Sequence, residues 1–162
     1  MKRSLRKCKI NSSDKLKILL DTTYLLPIIG IDVERVKEVL ILLKRLHNEG
    51  KAEYYYTPFN ILEILGKLSR IKYDEKRVSL GLISIGETFG LTYPTIEGYI
   101  KALKLRSKGY KDLIDLLLYT TSISRKLLFL TRDYELLEFL RKQGEEIGYI
   151  VFENDFIKMY GS

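Results

Sequence analysis

The sequence predicts an α/β fold in which a mostly parallel central β-sheet is flanked by α-helices on both faces. Short apolar runs alternate along the chain with longer segments of helical periodicity. The connections between successive apolar runs are too long for β-hairpins, and this length favours parallel pairing. With 46% hydrophobic residues and only three prolines among 162 residues, the composition is typical of a globular protein rather than a disordered one.

The first elements carry clear start and stop signals. Residues 17–20 predict the first strand, and residues 32–47 predict a helix that Gly50 closes. The run AEYYYT predicts a second strand. Thr57 followed by Pro58 is typical of a helix start, because the hydroxyl caps the helix and proline suits its first position.

The rest of the chain continues the alternation of helices and strands. The predicted elements are, in order, a helix over 58–70, a less regular helix over 74–89, a short extended LTY, helices over 95–109 and 112–125, the strand LLFLT, a helix over 134–142 and the strand GYIVF. Such an order predicts a sheet covered by helices on both sides.

Length and the N-terminus suggest how the chain is organised. We expect one domain over residues 17–162, preceded by a basic tail over residues 1–16, because a core of this size forms readily in a single unit. No apolar run is long enough to cross a membrane, and no secretory signal follows the basic N-terminus. The single cysteine, Cys8, suits a reducing compartment. These features predict a cytoplasmic protein without membrane contact.

The charge balance indicates a class of partner. The chain has 28 Lys and Arg against 21 Asp and Glu, and the resulting net charge of +7 attracts polyanions. Nucleic acid is therefore the first partner to consider. One basic group is the tail, for which a frayed terminus is the simpler explanation, and a solvated helix face explains the second group equally well. The second group comprises Lys101, Lys104, Arg106, Lys108 and Lys111.

Two aspartates lie where parallel sheets bind ligands. Asp21 directly follows the strand KILL, and Asp133 follows LLFLTR, with Thr131 two residues earlier. Ligands of such sheets gather outside the carboxyl ends of the strands. Taken alone, each aspartate is more simply explained as the N-cap of the next helix.

Glu63 belongs to the helix that starts at Thr57. On a helical wheel it shares a stripe with Asn60 and Lys67, and by itself this stripe predicts a solvated face. The opposite, core-facing side is expected to comprise Ile61, Ile64, Leu65 and Leu68.

A pair of acids lies on the helix over 112–125. Asp112 and Asp115 are three residues apart and share one face with Tyr119 and Ser122. Two like charges on a narrow polar seam are unusual for so apolar a helix, although a solvated seam explains them equally well.

The four pieces together resemble a known family. LLDTTYLL, TPFNILEIL, DLIDLLLYTTS and FLTRD are similar to the ordered acidic motifs of the PIN-domain nucleases, which include the VapC-type toxins. The resemblance runs from about residue 17 to the C-terminus. It implies catalytic and metal-binding roles for Asp21, Glu63, Asp115 and Asp133. The bulky LLLY after Asp115 departs from the family, which usually has small residues there, and Asp112 is a competing carboxylate one turn earlier.

The resemblance also implies a chemistry. Four carboxylates gathered at one end of a sheet repel one another unless a cation is bound. Oxygen ligands suit Mg²⁺ or Mn²⁺, and the near absence of histidine and cysteine disfavours zinc. The implied activity is metal-dependent hydrolysis of RNA phosphodiester bonds. Candidates for supporting the acids through hydrogen bonds are Thr22, Asn60, Asp112 and Thr131, although capping or solvation accounts for the three uncharged ones equally well.

Other functions have sequence features of their own. His47 is the only histidine, which excludes a metal-independent ribonuclease with two imidazoles. Haloacid-dehalogenase-like phosphatases carry a second Asp two residues after the first, where this chain has Thr23. A catalytically inactive PIN-like module for RNA binding or assembly remains the alternative. Within the nuclease interpretation, the resemblance implies the toxin of a VapBC-type pair, a small antitoxin partner and a homodimer.

Overall fold

A five-stranded β-sheet forms the centre of the computed structural model, which describes residues 14–161. The strands are β1 (Leu16–Leu20), β2 (Ala52–Tyr56), β3 (Gly90–Leu91), β4 (Leu128–Thr131) and β5 (Ile150–Phe152). Their order across the sheet is β3-β2-β1-β4-β5, and every neighbouring pair is parallel. The predicted α/β class is therefore confirmed, and the described sheet is entirely rather than mostly parallel.

Helices cover both faces of this sheet. They are α1 (Lys37–Asn48), α2 (Pro58–Leu68), α3 (Glu75–Thr88), α4 (Ile96–Ser107), α5 (Leu113–Arg125), α6 (Tyr134–Lys142) and α7 (Glu153–Tyr160). Two 3₁₀ turns, Thr22–Tyr24 and Leu26–Ile29, follow β1. The result is an α/β/α sandwich.

The alternation of side chains along β1 divides the core in two. Ile18 and Leu20 point into a core shared with helices α1, α2, α3 and α7. Leu19, between them, packs with α4, α5 and α6 on the other face. Successive residues of a strand point to opposite faces, so a strand buried on both sides is a continuous apolar run. This explains why KILL has no polar residue after Lys17.

Two elements differ from the sequence predictions. The helix predicted from residue 32 begins at Lys37, because Arg35 has a left-handed φ of 55° that no helix continues. The guanidinium of Arg132 donates hydrogen bonds to the carbonyls of Glu34 and Arg35, which holds this turn in place. Helix α7 was not predicted, since it follows β5 directly and Phe152 offers no side-chain cap.

The N-terminal part of the chain is only partly described. The predicted basic tail covers residues 1–16, and its first thirteen residues, including Cys8 and the basic group, lie outside the described residues. β1 begins at Leu16, which pairs with Ala52, one residue before the expected domain boundary. Among the described helices, none is long and apolar enough to cross a membrane.

The strand order defines where a ligand site is expected. From β1 the chain first builds outward through β2 and β3, and it then crosses to the other side of β1 to place β4 and β5. In open parallel sheets this reversal creates a crevice at the carboxyl ends of the two strands that flank it. Those two strands are β1, which Asp21 follows, and β4, which leads to Asp133.

Candidate active site

Asp21 is held by hydrogen bonds from both sides of the crevice. The backbone N–H of Thr22 donates to Oδ1 at 2.7 Å, and the hydroxyl of Thr131 donates to Oδ2 at 2.7 Å. Burial raises the pKa of Asp21 to about 6, the Thr131 bond opposes this increase, and the negative charge of Glu63 adds to it. The carboxylate is thus connected to β4 and destabilised by its own surroundings.

Thr131 also connects Asp21 to Asp133. Its hydroxyl oxygen accepts a hydrogen bond from the backbone N–H of Asp133 at 3.1 Å. Asp133 is the N-cap of α6, where its Oδ1 accepts from the N–H of Leu136 at 3.2 Å. The capping role expected for this position is therefore present, and the other carboxylate oxygen, Oδ2, remains directed to the neighbours described below.

Asn60 is buried, whereas the sequence predicted it on a solvated stripe. It completes a capping box, in which the side-chain oxygen of Asn60 accepts from the N–H of Thr57 and the Thr57 hydroxyl accepts from the N–H of Asn60. The side-chain amide of Asn60 donates to the carbonyl of Leu20 at 3.2 Å and to the hydroxyl of Thr22 at 3.0 Å. These bonds attach the start of α2 to the end of β1.

Glu63 lies one turn further along α2. Its Oε2 is buried and has no hydrogen-bond partner among the described residues, while Oε1 is 3.9 Å from the ammonium of Lys67. The helical wheel was also wrong about Leu65, which is 48% exposed, because the buried side of α2 runs through Asn60, Ile64 and Leu68. Glu63 is therefore half-buried at the edge of the crevice, next to Asp21.

Asp112 and Asp115 have different surroundings on α5. Asp112 is the N-cap, and its Oδ1 accepts from the N–H groups of Ile114 and Asp115. Burial raises the pKa of Asp115 to about 8, with further contributions from the charges of Asp21, Asp112 and Asp133. The proposed polar seam does not continue along the helix, because Tyr119 and Ser122 are buried.

Tyr110 is part of the site although no motif pointed to it. Its hydroxyl is 3.2 Å from Oδ2 of Asp115 and 3.3 Å from Oδ2 of Asp133. Burial and these two acids raise its pKa well above the usual range for tyrosine. The sequence offers no periodic or spacing signal for this role, because Tyr110 stands alone between a glycine and a lysine.

Arg132, which is adjacent to Asp133 in the sequence, points away from the acids of the crevice. Arg132 lies between Thr131 and Asp133, but its guanidinium forms a two-point ion pair with buried Glu153, at 2.6 and 2.9 Å. Tyr24 also donates to Glu153, at 3.0 Å. Arg132 therefore anchors the start of α7 and leaves the carboxylates of the crevice without its charge.

The chemistry of the donor set fits a hard divalent cation. Carboxylate oxygens are the ligands that Mg²⁺ and Mn²⁺ prefer, and the buried Oε2 of Glu63 has an unused acceptor. In residues 14–161, however, no three histidine, cysteine or acidic side chains stand where they could hold one ion together. The four acids are thus electrostatic neighbours, but three of them do not meet at one point in the described part of the chain.

Comparisons with known proteins bear on the fold. No family model matches the chain, and no curated protein matches its sequence. VapBC2 from Rickettsia felis, solved with a DNA fragment from its promoter, is similar with a TM-score of 0.57 at 15% identity, over 85% of this chain and 97% of that chain. The fold is the PIN-like α/β/α sandwich. DNA-bound VapBC from Salmonella typhimurium is similar with a TM-score of 0.56 at 14% identity, over 85% of this chain and 98% of that chain.

A third structure extends the likeness. FitAcB from Neisseria gonorrhoeae is similar with a TM-score of 0.53 at 14% identity, over 83% of this chain and 95% of that chain. At such identities the likeness concerns the fold alone. Within this PIN-like fold, Asp21 and Asp133 flank the strand-order reversal, and Asp115 and Glu63 approach from the helices beside it.

Proposed function

We propose that this protein is a Mg²⁺- or Mn²⁺-dependent endoribonuclease in which Asp21, Glu63, Asp115 and Asp133 bind the metal. One observation carries the proposal: Oε2 of Glu63 is buried without a hydrogen-bond partner in the described part of the chain, beside the desolvated carboxylate of Asp21. A buried carboxylate oxygen without a partner next to another acid is costly, and a cation between the two acids removes the cost. The ordered acidic motifs of the PIN family support the same assignment.

The surrounding residues prepare these acids for their role. A bound divalent ion would lower the pKa of a water and neutralise charge on phosphate oxygens. Thr131 orients Asp21 and supports Asp133, while Asn60 places α2, and with it Glu63, at the end of β1. Loss of a supporting hydrogen bond of this kind commonly lowers metal affinity or activity by about 10- to 100-fold.

RNA is the proposed substrate. The net charge of +7 favours a polyanion, and the family resemblance favours RNA over other phosphodiesters. The proposal implies that the protein acts in the cytoplasm, where such a substrate is found.

We further propose that the protein is a VapC-like toxin with a small antitoxin partner. Exposed apolar side chains on α2 and on α3 support binding of a partner protein, because contact with a partner would remove them from water. This group comprises Leu62, Leu65, Leu80 and Ile83.

A homodimer is proposed through α4. Ile96, Tyr99, Ile100 and Leu103 form one exposed apolar stripe on this helix. Glu97 and Lys104 flank the stripe two turns apart. In an antiparallel pair of α4 helices, Glu97 of one copy meets Lys104 of the other, so the stripe is complementary to itself in both apolarity and charge.

Removal of a single charge tests the nuclease proposal. Wild type is expected to cleave labelled RNA with Mn²⁺ and to lose activity with chelator. Glu63→Gln should lose at least about 100-fold in cleavage rate, because the amide keeps the size of the side chain but removes the ligand charge. Glu87→Gln is the matched control, since Glu87 is exposed on α3 and the change in net charge is the same.

Three outcomes would count against the proposal. Cleavage that survives chelator, or that Glu63→Gln leaves unchanged, contradicts the metal mechanism. Failure of wild type to cleave any RNA in the presence of Mn²⁺ favours the inactive RNA-binding or assembly module.

A further inference from the structure

Tyr110 occupies an unusual position for a tyrosine. It lies between α4 and α5, it is only 6% exposed, and its ring packs on Phe139 of α6 with the ring centroids 4.9 Å apart. The ring therefore belongs to the core formed by α4, α5 and α6, while the hydroxyl reaches the acidic crevice.

The hydroxyl joins two acids that come from different elements. Asp115 is in the first turn of α5, and Asp133 caps α6. Oδ2 of each acid lies within 3.3 Å of the same hydroxyl oxygen. Two carboxylates repel each other in a partly buried site, so they approach a common point only where a donor holds them there.

The chemistry of the donor matters as much as its position. A lysine or arginine in this place would also gather the two acids, but its charge would neutralise them. A tyrosine hydroxyl has one proton, so it donates to one acid at a time and adds no positive charge to the pair. Each carboxylate oxygen keeps a further lone pair for another ligand.

We propose that Tyr110 is a positioning residue, which holds the carboxylates of Asp115 and Asp133 at the spacing needed to share a divalent cation. The inference rests on the metal site of the proposed function. Tyr110 acts through these two acids and does not itself touch substrate.

The test is the affinity of the full chain for Mn²⁺, measured by isothermal titration calorimetry. Tyr110→Phe keeps the ring on Phe139 and removes only the hydroxyl. The dissociation constant for Mn²⁺ is expected to increase about tenfold, as for other losses of a group that orients a metal ligand. Catalysis should decrease through kcat, with KM for RNA nearly unchanged, because substrate contacts are preserved.

Tyr119→Phe is the matched control. Tyr119 is buried in the same core, and its hydroxyl donates at 2.6 Å to the carbonyl of Glu146, away from the acids. This variant should lose thermal stability to a similar extent but bind Mn²⁺ as wild type does. The comparison separates loss of a buried tyrosine hydroxyl from loss of carboxylate positioning.

Each outcome is decisive. Unchanged or tighter Mn²⁺ binding by Tyr110→Phe overturns the inference, and so does equal weakening by both variants. If wild type binds Mn²⁺ and Tyr110→Phe binds it more weakly, but wild type cleaves no RNA, the inference stands and the nuclease proposal falls. Absence of Mn²⁺ binding by wild type overturns both.

Discussion

Two aspartates in the crevice have surroundings that disfavour their ionised form. Asp21 and Asp115 lie half-buried among other acids, and the pKa of each is raised. The one arginine beside them in sequence, Arg132, is bound to Glu153 instead. Acids with raised pKa values and no neighbouring cation are typical of ligand-binding sites, because a bound ligand supplies the missing charge.

The raised pKa of Asp115 predicts how stability depends on pH. The folded state binds a proton at Asp115 up to about pH 8, whereas an unfolded aspartate releases it near pH 4. Between these values the folded state holds more protons, so the free energy of unfolding falls as the pH rises. Relative to Asp115→Asn, the free energy of unfolding of metal-free wild type should therefore fall by on the order of 1 kcal/mol for each pH unit between about pH 4 and about pH 8.

Urea denaturation in chelator, repeated across this range, measures the difference between the two proteins. Above about pH 8 the difference should become constant, since the carboxylate is then ionised in both states. A wild type that gains stability relative to Asp115→Asn as the pH rises would contradict the prediction.

At the scale of elements, local signals were sufficient to predict most helices and strands. The start of α2 is the clearest case, because Thr57, Pro58 and Asn60 form a cap within one turn of the chain. The buried face of α2 was not predictable in the same way. Its apolar residues lie on more than one side, and the amide of Asn60 is buried only because β1 supplies a partner for it.

Asn60 should therefore contribute to stability through two elements at once. Asn60→Ala keeps the Thr57 cap but removes the side-chain oxygen that accepts from the N–H of Thr57, and it leaves the carbonyl of Leu20 and the hydroxyl of Thr22 without this donor. We expect a loss of about 3 kcal/mol in the free energy of unfolding, from the lost half of the capping box and one or two unsatisfied buried groups.

Urea denaturation at a single pH measures this loss. Asn154→Ala is the control, because Asn154 is exposed on α7 and the change of residue is the same. Equal losses in the two variants would show that Asn60 does not connect α2 to β1.

At the scale of the whole molecule, the strand order brings distant residues together. β1 and β4 are neighbours although more than a hundred residues separate them, and Thr131 bonds to Asp21 across this junction. The family resemblance predicted that the four acids gather at this end of the sheet. Their roles in metal binding and catalysis stay predictions.

The proposed homodimer gives a prediction at the same scale. Leu103→Glu places a charge in the exposed stripe of α4, where Leu103 is 57% exposed. We expect wild type to have twice the 19.0 kDa mass of one chain in light scattering after size exclusion, and the variant to be monomeric. Ile41→Glu on α1, where Ile41 is 60% exposed, should remain a dimer.

A monomeric wild type would contradict the homodimer, and a Leu103→Glu variant that stays dimeric would show that the interface is not on α4. The Ile41→Glu control distinguishes a specific contact on α4 from a general effect of added charge on association.

By itself, the sequence determined the alternation of strands and helices, the parallel sheet and the caps that begin α2 and α6. These depend on residues close together in the chain, where side-chain spacing and hydrogen-bonding groups act locally. Only the tertiary structure decided that Asn60 is buried, that Arg132 pairs with Glu153 and that Tyr110 joins Asp115 to Asp133. Each depends on partners that come together only when the sheet and its helices assemble.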